Sequence, residues 1–119
     1  MRIETVQQLL NDLKILFPRL SLPQKPDDRQ RMIALWHRAL NTGAYPEHVF
    51  HEAVDVLARD ASANDAPPTP GDLLRACRKA IEQIERDPER RKRLYAWREK
   101  KRDELIRRDQ QNKAKNAPE

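Results

Sequence analysis

Residues 66–74 read Ala66-Pro67-Pro68-Thr69-Pro70-Gly71-Asp72-Leu73-Leu74, and this stretch decides the fold. Two prolines keep the chain extended up to Thr69, whose hydroxyl is placed to cap a helix; Pro70 suits the first helical position, where its missing N–H is no loss. Asp72 follows at the spacing that lets its carboxylate reach back toward the cap, so the start of a helix is signalled three times over. Leu73, Leu74, Cys77, Ala80, Ile81 and Ile84 then recur at helical spacing and supply one buried face. Downstream, Asp87-Pro88-Glu89 repeats the logic: proline disrupts a helix interior but is tolerated in a first turn, so one helix ends and another begins there.

Upstream of the capped helix the chain reads as three more. Val6, Leu9, Leu10, Leu13, Leu16 and Phe17 are spaced by three and four, and Pro18 stops the series. Pro18, Pro23 and Pro26 hold residues 18–26 in an extended connection. Asp27 or Asp28 then caps a helix whose apolar face is Met32, Leu35, Trp36, Ala39 and Leu40, ended by Asn41-Thr42-Gly43. Pro46 suits the first turn of a third helix, with Val49, Phe50, Ala53, Val54, Val56 and Leu57 on a broad apolar face, and the Ala/Ser/Asn/Asp run at 61–66 closes it. The expected fold is all-α: a small bundle of about four helices over residues 1–86, then a basic, helix-prone segment over 87–119. Phe17, Trp36, Leu40, Phe50, Ala53, Leu57, Leu73 and Cys77 are its expected core.

The chain has 119 residues, enough for one small domain and an appendage. Hydrophobic residues make up 38% and charged residues 36%, so the thin apolar supply must be concentrated in one modest core. Charge is divided unevenly. Residues 1–85 carry 11 Lys/Arg against 12 Asp/Glu, a net of −1, whereas residues 86–119 carry 13 against 7, a net of +6. Blocks of like charge mark interaction segments rather than core, which separates two functional parts. A single cysteine, Cys77, excludes an internal disulfide and a cysteine-cluster zinc site and suits a reducing compartment. The N-terminal MRIETVQQLL is charged where a signal peptide needs an apolar run, and nothing approaches the ~20 apolar residues of a membrane span; a cytoplasmic protein without membrane contact is expected.

Catalytic patterns find little footing. Phosphate cradles need glycine-rich loops followed by lysine and Ser/Thr, but Gly43 and Gly71 stand alone. His48, His51, Glu52 and Asp55 have metal-like spacing on a helix, and His51-Glu52 begins but does not complete a zinc-protease motif; exposed four-apart pairs, His48/Glu52 and His51/Asp55, are the preferred reading over a metal site. His37 beside Trp36 reads as partly exposed helix surface. Cys77 lies on an apolar helix face and reads as a small buried hydrophobe. The expectation is a protein that acts by binding, with no enzyme activity, no cofactor and no metal.

Binding residues are sought in the basic segment. Arg90, Arg91, Lys92, Arg93, Leu94, Tyr95, Trp97 and Arg98 form the candidate partner-binding set, anchored by Trp97 and Leu94 and flanked by arginine. Acid-first pairs Glu89/Arg93, Asp103/Arg107 and Glu104/Arg108 support a helix, each contributing ~0.2–0.5 kcal/mol. Lys101 interrupts any heptad seam of Leu94, Trp97 and Leu105, and the polar residues Gln110 to Glu119 read as a disordered end. Three readings stand side by side: a solvated face, a protein-docking helix, and a DNA- or RNA-binding helix that neutralises phosphates and stacks an aromatic on a base. The interleaved acids favour a protein partner.

The order of signals resembles a known family. An N-terminal helix ending Leu16-Phe17-Pro18, a helix with Leu35-Trp36 and Leu40, the Glu47 to Leu57 helix and then Pro67-Pro68-Thr69-Pro70-Gly71-Asp72-Leu73 resemble the folded domain of the bacteriophage replicative-helicase loader/inhibitor family, over about residues 6–79. The resemblance implies a compact helical domain with a mobile C-terminal region and no ATPase of its own. It implies a phage or prophage DNA-replication accessory protein that binds a hexameric replicative helicase, holds it inactive and delivers it to a replication-initiator complex. Carried onto this chain, the helicase contacts fall on Arg90 to Arg98. The longer, strongly basic C-terminal segment with its tryptophan departs from the family pattern. A small DNA- or RNA-binding regulator and a phage assembly or structural adaptor remain as alternatives.

Overall fold

A computed structural model describes residues 1–60 and 66–115. Its elements are five helices: α1 (Ile3–Leu16), α2 (Pro26–Leu40), α3 (Glu47–Asp60), α4 (Pro70–Glu85) and α5 (Pro88–Lys115). No strand occurs among the described residues. The chain divides into two compact units, Met1–Glu82 and Gln83–Glu119.

In the first unit α1 packs against α2 and α3. Val6, Leu9, Leu10 and Leu13 of α1, Val49, Phe50, Ala53 and Val54 of α3, and Leu73, Ala76, Cys77 and Ala80 of α4 are all buried. The Tyr45 ring meets Phe50 edge-on at 6.0 Å between centroids. An ion pair of 2.9 Å from Lys79 Nζ to Asp60 Oδ2 ties α4 to the end of α3.

The capping box is formed as its sequence requires. Thr69 Oγ1 accepts from the Asp72 backbone N–H at 3.2 Å, and the Asp72 carboxylate accepts from the Thr69 N–H at 2.9 Å. Arg75 also pairs with Asp72. The Thr69 amide first, with Arg75 and the Thr69 hydroxyl behind it, holds the Asp72 carboxyl below its ordinary range.

Several sequence expectations are corrected. α2 begins at Pro26, not after Asp27 or Asp28, and its cap position, Lys25, gives no side-chain hydrogen bond. Pro46 precedes α3 rather than opening it; its carbonyl accepts from Val49 N at 3.1 Å. The inward face of α2 is Ile33, Trp36 and Leu40, while Leu35 is 48% exposed and Ala39 faces solvent. Apolar residues surround this part of α2, so helical period alone does not choose the inward side. Phe17 and Leu57 are half-buried, Leu16 is exposed, and Leu20 fills the interior beyond α1 instead. Residues 110–115, expected to be disordered, continue α5, because no glycine or proline interrupts them. The expected closing run at 61–66 lies, but for Ala66, outside the described residues, as does the chain end at 116–119.

Candidate interaction surface

Asp87 sets the start of α5. Its carboxylate Oδ1 accepts from the Glu89 N–H at 3.1 Å and lies 3.5 Å from the Arg90 nitrogen, while its own N–H donates to the Ile84 carbonyl at 3.1 Å. Pro88 takes the first helical position and the helix then runs for 28 residues, about 42 Å at 1.5 Å per residue. Every residue from 102 to 115 is exposed.

The candidate residues do not share one face. Arg91, Lys92, Arg93, Tyr95 and Arg98 are exposed, Arg90 and Trp97 are half-buried, and Leu94 is buried at 1% exposure. Leu94 is therefore an interior residue rather than a docking anchor: with Ile84 it is one of the buried apolar side chains of the second unit, and a partner reaching it must first open the structure. At 100° per residue, Arg91, Tyr95 and Arg98 lie along one stripe, and Lys92 and Arg93 turn away from it. The Arg98 guanidinium sits 5.7 Å from the Tyr95 ring centroid, a cation–π approach. Arg98 also lies 3.8 Å from Glu85, with both side chains 40% exposed or more, so that ion pair adds little.

Two residues beyond the expected segment continue the stripe. Arg102 stands four residues after Arg98, and Ile106, 49% exposed, four after Arg102. The signal was present in the four-residue repeat, hidden among charges that occur all round the helix. The expected pairs Glu89/Arg93, Asp103/Arg107 and Glu104/Arg108 do not close to within 4 Å, so helix propensity and solvation hold this segment more than ion pairing does.

The remaining chemistry-bearing residues fall elsewhere. His48, His51 and Asp55 are exposed and Glu52 is half-buried; among the described residues no three His, Cys, Asp or Glu side chains converge as a metal ion requires. His37 is half-buried and its Nε2 donates to the Met1 carbonyl at 2.7 Å. Burial pushes the Cys77 thiol up to about 12, so it stays protonated and unreactive near neutral pH. Glu47, which no sequence motif marks, is a heavily bonded carboxylate. It accepts from the Arg2 guanidinium at 2.9 Å, the Arg2 backbone N–H at 3.0 Å and the buried Thr5 hydroxyl at 2.8 Å. Those bonds, the Arg2 side chain foremost, lower its carboxyl to about 2 and tie the start of α3 to that of α1.

No helix among the described residues is long and apolar enough to cross a membrane. No protein-family model, characterised protein or solved structure matches the chain.

Proposed function

We propose that this chain is a DNA-replication accessory protein that binds a hexameric replicative helicase, holds it inactive and helps deliver it to a replication initiator. The observation that carries the reading is the exposed stripe of α5, where Arg91, Tyr95, Arg98 and Arg102 follow one another at helical spacing. Arginine and tyrosine dominate the energetics of protein interfaces, and the buried Leu94 anchors the turns that carry Arg91, Tyr95 and Arg98, which lowers the ordering entropy they lose on binding. The order of motifs through α1 to α4, which resembles the helicase loader/inhibitor family, supplies the partner. Action by binding, without an ATPase of its own, is what that resemblance implies.

The test is capture of a bacterial hexameric replicative helicase by the full chain, with and without ATP. Full-length Arg91→Glu/Arg98→Glu is the proper comparison, because truncation at Glu85 would also remove the buried Leu94. Capture by the parent chain and loss in the double variant supports the reading; no complex under any nucleotide condition defeats it.

The same stripe favours a second reading, a DNA- or RNA-binding regulator, since Arg98 over Tyr95 forms a stacking platform within a basic row. Fluorescent DNA titrated across salt separates the two: phosphate contacts give a log–log slope of about −0.9 each, and a flat response rules this reading out.

A further inference from the structure

A hollow of about 490 Å³ opens in the first unit between the connection from α2 to α3 and the first turns of α4. Gly71, Leu74, Arg75 and Arg78 line it from α4, and their spacing by three and four residues puts them on one face of that helix. Thr42 and Tyr45 line it from the connection. Both walls are held from outside the hollow. The half-buried Tyr45 ring rests against the buried Phe50, and the bonds between Thr69 and Asp72 set the start of α4.

Each lining group narrows the guest. Among the described residues no acid lines the hollow, and although Arg75 is paired with Asp72, Arg78 makes no ion pair. An anion is favoured, and guanidinium forks on successive turns match the several oxygens of a phosphate. The Thr42 hydroxyl accepts from the Ala44 N–H at 3.3 Å, which leaves its own O–H to donate to a guest. A bare phosphate would leave the Tyr45 ring and Leu74 uncovered. The volume falls within the ~300–1,000 Å³ of small-molecule sites, and a tyrosine ring takes a flat base by stacking.

Gly71 is an independent sign. Unlike Gly43 it has no positive φ, so its backbone does not call for glycine. A Cβ there would meet its nearest atoms, Arg75 Nη1 and Thr69 Oγ1, at 3.5 and 3.7 Å, which is ordinary contact. Neither conformation nor packing excludes alanine, which would favour the helix; what the missing Cβ keeps open is the wall of the hollow.

The geometry points to a binding site for a phosphorylated nucleoside, whose phosphate pairs with Arg78 and Arg75 and whose base covers Tyr45 and Leu74. A free nucleotide and the terminal nucleotide of a nucleic-acid strand share that chemistry. The site uses no residue of α5 and does not rest on the helicase reading.

The test titrates AMP, adenosine, inorganic phosphate and benzoate, each at the same salt concentration, into isotopically labelled full-length protein while amide chemical shifts are followed. AMP should move the resonances of Thr42, Tyr45, Gly71, Arg75 and Arg78 and bind about tenfold or more tighter than any of the other three, because only AMP uses both walls. Arg78→Gln, at an exposed position, should weaken AMP about tenfold, the loss of one hydrogen bond to a charged group, and leave adenosine unchanged. Gly71→Ala should also weaken AMP while Tm holds or rises, a divergence that a purely structural glycine would not give. A 5′-phosphorylated trinucleotide identifies the source: a strand end if it binds the same residues at least as tightly as AMP, a free nucleotide if it binds more weakly. Adenosine or benzoate binding as well as AMP, shifts confined to α5, no binding of AMP, or an AMP affinity unchanged by either substitution overturns the proposal.

Discussion

Replacing Leu94 by alanine removes an isopropyl group from a side chain that is 1% exposed. The transfer loss is about 2.4 kcal/mol at ~0.8 kcal/mol per buried carbon, and the residual cavity carries the total to about 2–5 kcal/mol. For a chain of 119 residues this lowers Tm by on the order of 10 °C. Tyr95→Ala, at the next position, should behave otherwise. It loses an exposed cation–π contact with Arg98 of ~0.5–1 kcal/mol, partly offset by the better helix propensity of alanine, so the net change should stay below about 0.5 kcal/mol. Urea unfolding followed by circular dichroism reads both, with the slope checked for constancy because two compact units need not unfold together. Helicase capture by the same two proteins completes the comparison: folded Tyr95→Ala should capture less, while Leu94→Ala should suffer chiefly through its stability. A shift of less than about 1 kcal/mol for Leu94→Ala at unchanged slope would refute the placement of Leu94 in the interior.

Four further outcomes are expected. Trp36→Ala, which empties a site 8% exposed, should cost about 3–5 kcal/mol by the same urea measurement, whereas Trp97→Ala, half-buried, should cost clearly less. Thr69→Ala should cost about 1 kcal/mol, and with Asp72→Ala it should show a non-additive double-mutant cycle, because each residue bonds the other's backbone. Glu47 has its carboxyl lowered from an ordinary 4.5 to about 2, so its contribution is present above the unfolded value and fades as pH falls from about 4.5 toward 2. Glu47→Gln should therefore cost about 1 kcal/mol at pH 7, a figure discounted for the exposed Arg2 partner, and much less in melts near pH 2. Cys77 should resist maleimide in native buffer and react once urea unfolds the chain; fast labelling of the folded protein would contradict its burial.

What could be read from residues alone was set by how local its cause is. Thr69-Pro70-Gly71-Asp72 and Asp87-Pro88-Glu89 specify their helix starts through a fixed proline angle and a carboxylate within a few residues, and both form as read. The orientation of α2 was less legible. Met32, Ile33, Ala34, Leu35 and Trp36 are consecutive apolar residues, so packing against α1 selects Ile33 and Trp36 and leaves Leu35 outside. The Arg2, Thr5 and Glu47 cluster was invisible because its members are 42 and 45 residues apart and belong to no motif. On α5 the basic residues were legible as a group, but not their sorting: one leucine turns inward, two charged neighbours turn off the stripe, and Arg102 joins it.

The stretch from Arg102 to Lys115, exposed at every residue, has a consequence for how α5 responds to a partner. A helix of this length without tertiary packing is marginal in water, so its amides should exchange with solvent within seconds or less while those near Leu94 exchange slowly. Protection along α5 should therefore fall away outward from Asp87. Occupancy of the stripe by a partner would appear as protection advancing past Arg102, making deuterium uptake a direct gauge of how far along the helix the partner reaches.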